Sequence, residues 1–151
     1  MSTSPPRVLF VCLGNIIRSP LCEGYLRHKF VNKVIVDSAA CTHDDLGQHP
    51  DKYSCKIARE QGFDISSHIS KLIKKTDFYD FDIIVSLEKY VQRSLERKKP
   101  NDAKCKIVEF APGVDIINPW CGGLEEFRDM NTQIQKYFPA FIENNLPQLL
   151  Q

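Results

Sequence analysis

A chain of 151 residues, 42% hydrophobic and 26% charged, fits a single soluble domain, residues 1–151, built on one core. A formal net charge of +1 argues against wholesale binding to nucleic acid or to a membrane surface. The longest early apolar run, residues 8–13, is too short to span a bilayer, and residues 1–7 carry no signal-peptide pattern, so a cytoplasmic protein is expected.

Residues 8–11, continuous and β-branched, predict a buried first strand. Ser19 suits the N-cap of the helix that follows and Pro20 its first turn, with Tyr25, Leu26, Phe30 and Val31 on the buried face. Residues 34–36 predict a second strand ending at Asp37 and Ser38. Pro50 opens a second helix, with Tyr53 and Ile57 one turn apart and Gly62 as its C-cap. A third strand is predicted over 81–87, then a helix over 88–98 stopped by Pro100. The basic run 93–99 at its end reads as a solvated helix terminus. A fourth strand is predicted over 104–110. Residues 124–150 carry a helical apolar period, which Pro139 is expected to kink or interrupt.

Strands that alternate with helices predict an α/β fold, a four-stranded parallel sheet with helices on both faces. Ligands bind such sheets beyond the carboxyl ends of the strands. Cys12 stands at that end of the first strand, and the patternless stretch 111–123 returns to it.

Six cysteines, Cys12, Cys22, Cys41, Cys55, Cys105 and Cys121, include no C-x-x-C pair, so neither a zinc site nor a thioredoxin-like motif is supported, and free thiols are expected. Cys12 differs from the others in its setting. In "CLGNIIRS" five residues separate it from Arg18, across a turn from strand to helix. Backbone N–H groups of such a turn, Leu13 to Arg18, converge on one anion. Gly14 takes positive φ at little cost and Asn15 is the next most tolerant type. Arg18 adds a planar fork matching two phosphate oxygens. The dipoles that hold phosphate also stabilise a thiolate, and Ser19 can donate to the sulfur. In-line attack of Cys12 on phosphorus, then hydrolysis of the cysteinyl-phosphate, is the natural reaction.

"VCLGNIIRSP" resembles the phosphate-binding loop of the low molecular weight protein tyrosine phosphatases. "DSAA" at 37–40, "SSH" at 66–68, "FD" at 81–82 and "NPWCGG" at 118–123 extend the likeness over nearly the whole chain. The resemblance implies Cys12 as nucleophile, Arg18 as phosphate clamp, and loop amides from Leu13, Gly14, Asn15, Ile16, Ile17 and Arg18. Asn15, Ser38 and His68, with Ser19, would hold the loop in shape. It implies no cofactor or metal, phosphotyrosine proteins or small aryl phosphates as substrates, phosphate or sulfate in the loop, and a monomer. Similar arsenate reductases need further cysteines mid-chain, which 56–104 lacks. Similar arginine phosphatases carry threonine where this chain has Ile16, and an apolar residue there favours an aromatic ester.

The sequence departs from that pattern in four places. Asn118 occupies the proton-donor position where the family has aspartate, and an amide has no transferable proton at neutral pH. General acid–base help is worth about 10²–10⁴ in rate, so weakened turnover, or a pseudophosphatase that only binds phosphotyrosine or anions, is expected. Asp115, three residues earlier on the same stretch, and Asp44 and Asp45, after the second strand at the pocket rim, are the candidate stand-ins, all three otherwise reading as ordinary loop acids. Ile17 replaces the cysteine that would pair with the nucleophile. At the pocket rim, Asp44 stands where tryptophan is common, and Trp120 and Cys121 where two tyrosines are. A redox sensor built on Cys12 is a third reading, requiring a partner thiol.

Overall fold

The computed structural model describes residues 4–151. The sheet has four parallel strands, β1 (Arg7–Cys12), β2 (Ile35–Ala40), β3 (Ile83–Ser86) and β4 (Lys106–Glu109), in the order β2-β1-β3-β4. The helices are α1 (Arg18–Lys29), α2 (Lys52–Glu60), the short α3 (Asp77–Asp80), α4 (Lys89–Lys98) and α5 (Leu124–Asn145), followed by a 3₁₀ turn at Pro147–Leu150. The two-residue side-chain period of β1 sorts the core. Val8, Phe10 and Cys12 face α1, α2 and α5, whereas Leu9 and Val11 face α3 and α4. On the first side Phe10, Phe110, Phe138 and Phe141 pack edge-on or tilted, with ring centroids 5.0–6.4 Å apart.

Chain order leaves β1 toward β2 on one side and toward β3 on the other, so the crevice of the fold opens at the carboxyl end of β1. Cys12 is the last residue of that strand.

Several local expectations shift. Helix α1 begins at Arg18 with Ile17 at the N-cap, so Ser19 lies inside the first turn with its hydroxyl free for the loop. Of the expected face, Leu26 and Phe30 are buried and Tyr25 packs partly buried against the same core, whereas Val31 lies beyond α1 and is 60% exposed; Leu21, Cys22, Glu23 and Gly24 complete the buried side. β2 runs on to Ala40, because Ser38 and Ala39 are buried against β1. Helix α2 is capped by Asp51, which accepts from the Tyr53 amide, and Gly62 sits one position past the C-cap at φ +94°. Helix α5 runs without interruption through Pro139, whose ring faces outward, and ends at Asn145.

Candidate active site

The turn from β1 into α1 forms a cup. Cys12 lies 2% exposed at its floor, and Asn15, not Gly14, takes the left-handed conformation, at φ +60°. Gly14 serves a different purpose: a Cβ there would lie 2.5 Å from Asp45 Oδ2 and 3.3 Å from its Cβ, so the bare Cα leaves room for that side chain.

Asn15 is the hub that holds this shape. Its Nδ2 donates to Ser19 Oγ at 2.8 Å and to Ser38 Oγ at 3.0 Å. Its Oδ1 accepts from the Lys71 amide at 3.2 Å and faces His68 Nε2 at 2.9 Å, which makes Nε2 the protonated ring nitrogen. The direction of every hydroxyl then follows. Ser38 passes its proton to Glu23 Oε1 at 2.6 Å, and Ser19, already accepting from Asn15, turns its proton to Cys12 Sγ at 3.0 Å. The Asn15 amide adds a second donor to that sulfur at 3.3 Å. Two donors are thereby aimed at the one sulfur. Burial holds His68 below the usual histidine range, outweighing Glu23, whose carboxylate lies 3.6 Å from Nδ1.

Arg18, 2% exposed, is aimed from outside the cup. One terminal nitrogen donates to the Ile116 carbonyl at 2.8 Å, and the other pairs with Glu88 Oε1 at 2.6 Å. Two terminal hydrogens and Nε–H remain for a ligand. Glu88 is the N-cap residue of α4 but does not cap it; Asp115 does, its Oδ1 accepting from the Lys89 amide at 2.8 Å. Asp115 is thereby engaged at the start of α4, and it is not among the residues that line the pocket.

The pocket has a volume of about 220 Å³ and is walled by Cys12 through Arg18, Thr42, Asp44, Asp45, Asn118 and Trp120. Asn118 accepts from the Trp120 amide at 3.2 Å, which orients its side chain. Trp120 stands 59% exposed at the mouth. Cys121 does not line the pocket: at φ +66° the chain turns away there, closed by the Gly122 amide on the Pro119 carbonyl at 2.7 Å, and its side chain is exposed.

Glu23, Asp37 and His68 place one ligand atom each within 4.8 Å of the others, but Ser38, Arg27 and Lys71 already occupy the carboxylates. Glu23, Thr42 and Glu88 are among the site residues that sequence reasoning missed. An acid on the buried side of α1 was a usable signal for Glu23; for Glu88 there was none, since its partner lies 70 residues away.

A family model, low molecular weight phosphotyrosine protein phosphatase, matches residues 7–149. The protein of that name from Gallus gallus is 33% identical over 148 residues, covering 90% of this chain and 93% of its own. Among solved structures, Primo-1 superposes with a TM-score of 0.83 at 30% identity, covering 93% of this chain and 99% of that one. A Drosophila arginine phosphatase superposes with a TM-score of 0.84 at 27% identity, covering 92% and 97%.

Proposed function

The chain belongs to the low molecular weight phosphotyrosine protein phosphatase family, and from that membership we propose a cysteine-dependent phosphatase of phosphotyrosine side chains and small aryl phosphates, its turnover weakened at proton transfer. It acts as a single-domain monomer in the reducing cytoplasm, needing no cofactor. The observation that carries the reading is the pair of donors on Cys12 Sγ, from Asn15 and Ser19, at the floor of a pocket lined by residues 12–18.

The phosphoryl group sits in the cup, its oxygens on the amides of 13–18 and on the free hydrogens of Arg18. The thiolate attacks phosphorus in line; the P–O bond to the aryl group breaks and its electron pair leaves on the phenolic oxygen. Charge on the equatorial oxygens meets donors already in position, which is where most of the acceleration arises. Water then attacks the cysteinyl-phosphate, returning the thiolate and releasing phosphate. Asn118 can hydrogen-bond the departing oxygen through Nδ2 but cannot protonate it, so solvent must. Ile16, 7% exposed in the pocket wall, supports an aromatic ester over a guanidine phosphoramidate.

A series of aryl phosphates tests this. Rates should fall steeply as the leaving phenol becomes more basic, and Cys12→Ser should abolish turnover. Asn118→Asp should flatten the dependence and raise the rate with poor leaving groups by at least about tenfold, within the range general acids contribute. A shallow dependence in the native protein overturns the assignment of Asn118. The specific observation favouring the second reading, a phosphotyrosine-binding pseudophosphatase, is the amide at the donor position; that reading holds if even the best leaving group shows no Cys12-dependent release.

A further inference from the structure

Besides Arg18, the ionisable side chains in the pocket wall are Cys12, Asp44 and Asp45. Neither aspartate carboxylate has a hydrogen-bond donor or a cationic partner among the described residues. Asp45 is half-buried, its Oδ2 against Gly14 in the phosphate loop, whereas Asp44 is exposed nearer the mouth. They are held there. Thr42 N and Oγ1 both donate to the Leu13 carbonyl, at 3.1 and 3.0 Å. Farther on, Ser70 Oγ donates to the Asp45 carbonyl, and the Gly47 amide donates to the Ser70 carbonyl at 2.9 Å. The two strands of contact fix this loop on both sides of the acids.

This arrangement is unfavourable for the ligand the loop is built to hold. The charge of Arg18 is already matched by Glu88 at 2.6 Å. A phosphate dianion in the cup then adds to two unpaired carboxylates beside it, and like charges at short range in a partly desolvated pocket repel. A cation brought by the substrate relieves that repulsion; an anion adds to it. The carboxylates do not create the pocket, which the loop already provides. They decide which phosphorylated sequences enter it.

Resting on the phosphatase reading above, we propose that Asp44 and Asp45 make this site selective for phosphotyrosine segments carrying lysine or arginine beside the phosphorylated residue, and set it against acidic segments. Trp120, at the same mouth, offers its face to the tyrosyl ring, which leaves the acids for the flanking side chains.

The test uses three phosphotyrosine peptides matched in length, flanked by arginine, by serine or by glutamate, with unphosphorylated peptides as controls. Binding is measured by fluorescence anisotropy on the Cys12→Ser full-length chain, and Cys12-dependent release of p-nitrophenol from p-nitrophenyl phosphate is followed in parallel on the native chain. The arginine-flanked peptide should bind on the order of tenfold tighter than the glutamate-flanked one at low salt. The ratio should shrink as salt rises. The double substitution Asp44→Asn, Asp45→Asn should bring it near one, while Asp44→Glu with Asp45→Glu keeps it. Because the readout is a ratio within one protein, loss of overall affinity does not obscure it; should the double variant fail to fold, Asp44→Asn alone and the salt dependence of the native ratio decide. Equal binding of the three peptides, preference for glutamate, or a preference that survives neutralisation overturns the proposal while leaving p-nitrophenol release intact. Absence of both p-nitrophenol release and phosphate-dependent peptide binding sinks the phosphatase reading, and this inference with it.

Discussion

At the scale of single residues, the site is organised by what surrounds the loop of residues 12–18. Asn15 pairs with Ser19, Ser38, His68 and the Lys71 amide, and its left-handed backbone is affordable to few residues besides glycine. His68 serves this hub through Nε2–H, which faces Asn15 Oδ1 at 2.9 Å. Burial depresses its proton affinity in the folded protein relative to the unfolded chain. Well above the ordinary value of 6.5, both states are neutral and the histidine contributes no pH dependence. As pH falls through that value the unfolded chain takes up a proton that the folded state resists, so stability drops until the lower folded value is reached. Urea denaturation across mildly acidic pH should show this decline, and His68→Gln, which retains a donor for Asn15, should remove the part due to the imidazole. An unchanged slope in the variant would assign the decline to other groups.

Among elements, α1 shows how packing reverses a local rule. Glycine inside a helix costs about 1 kcal/mol relative to alanine, so Gly24→Ala should stabilise if α1 stood alone. Here a Cβ at 24 would lie 2.5 Å from Ile65 Cγ2 and 2.9 Å from the Phe63 ring. The helix approaches the segment after α2 closely because position 24 has no side chain. Overpacking of this kind costs about 1–3 kcal/mol, which cancels or exceeds that gain, so Gly24→Ala should leave the protein no more stable, and up to about 2 kcal/mol less stable, in equilibrium unfolding. The approach serves the site as well, since that segment leads to His68. Helix α4 is a second instance: its N-cap residue is diverted to Arg18, and Asp115 from the loop after β4 supplies the missing acceptor.

For the molecule as a whole, burial ranks the six thiols. All are free; Cys121 is exposed and the other five are buried. Burial pushes Cys41 up to about 11 and raises Cys22, Cys55 and Cys105 as well. Cys12 alone among the buried set opens onto the pocket. An aromatic disulfide reagent should therefore label two sites in the native protein, Cys121 regardless of ligand and Cys12 unless phosphate or vanadate fills the cup; the remaining four should react only on unfolding. Mass mapping showing early modification of Cys22 or Cys41 would contradict the burial described here. A redox sensor on Cys12 needs a partner thiol, and Cys121, on the late loop, is exposed and stands outside the pocket lining.

The sheet and the cup were legible in the amino acids because each is a short-range pattern: a buried apolar strand, and a cysteine and an arginine with five residues between them across a turn; the amide before Pro119 acquired meaning only beside the family's pattern. The likeness to a known family extended that reading to Ser38 and His68. Folding alone assigned Glu23 to Ser38, Glu88 to Arg18, Asp115 to α4 and Asp45 to the face of Gly14, and it gave the strained backbone to Asn15 rather than to the glycine beside it. Those pairings join groups distant along the chain, and a carboxylate's partner depends on where crossover helices and long loops bring it, which no local spacing encodes.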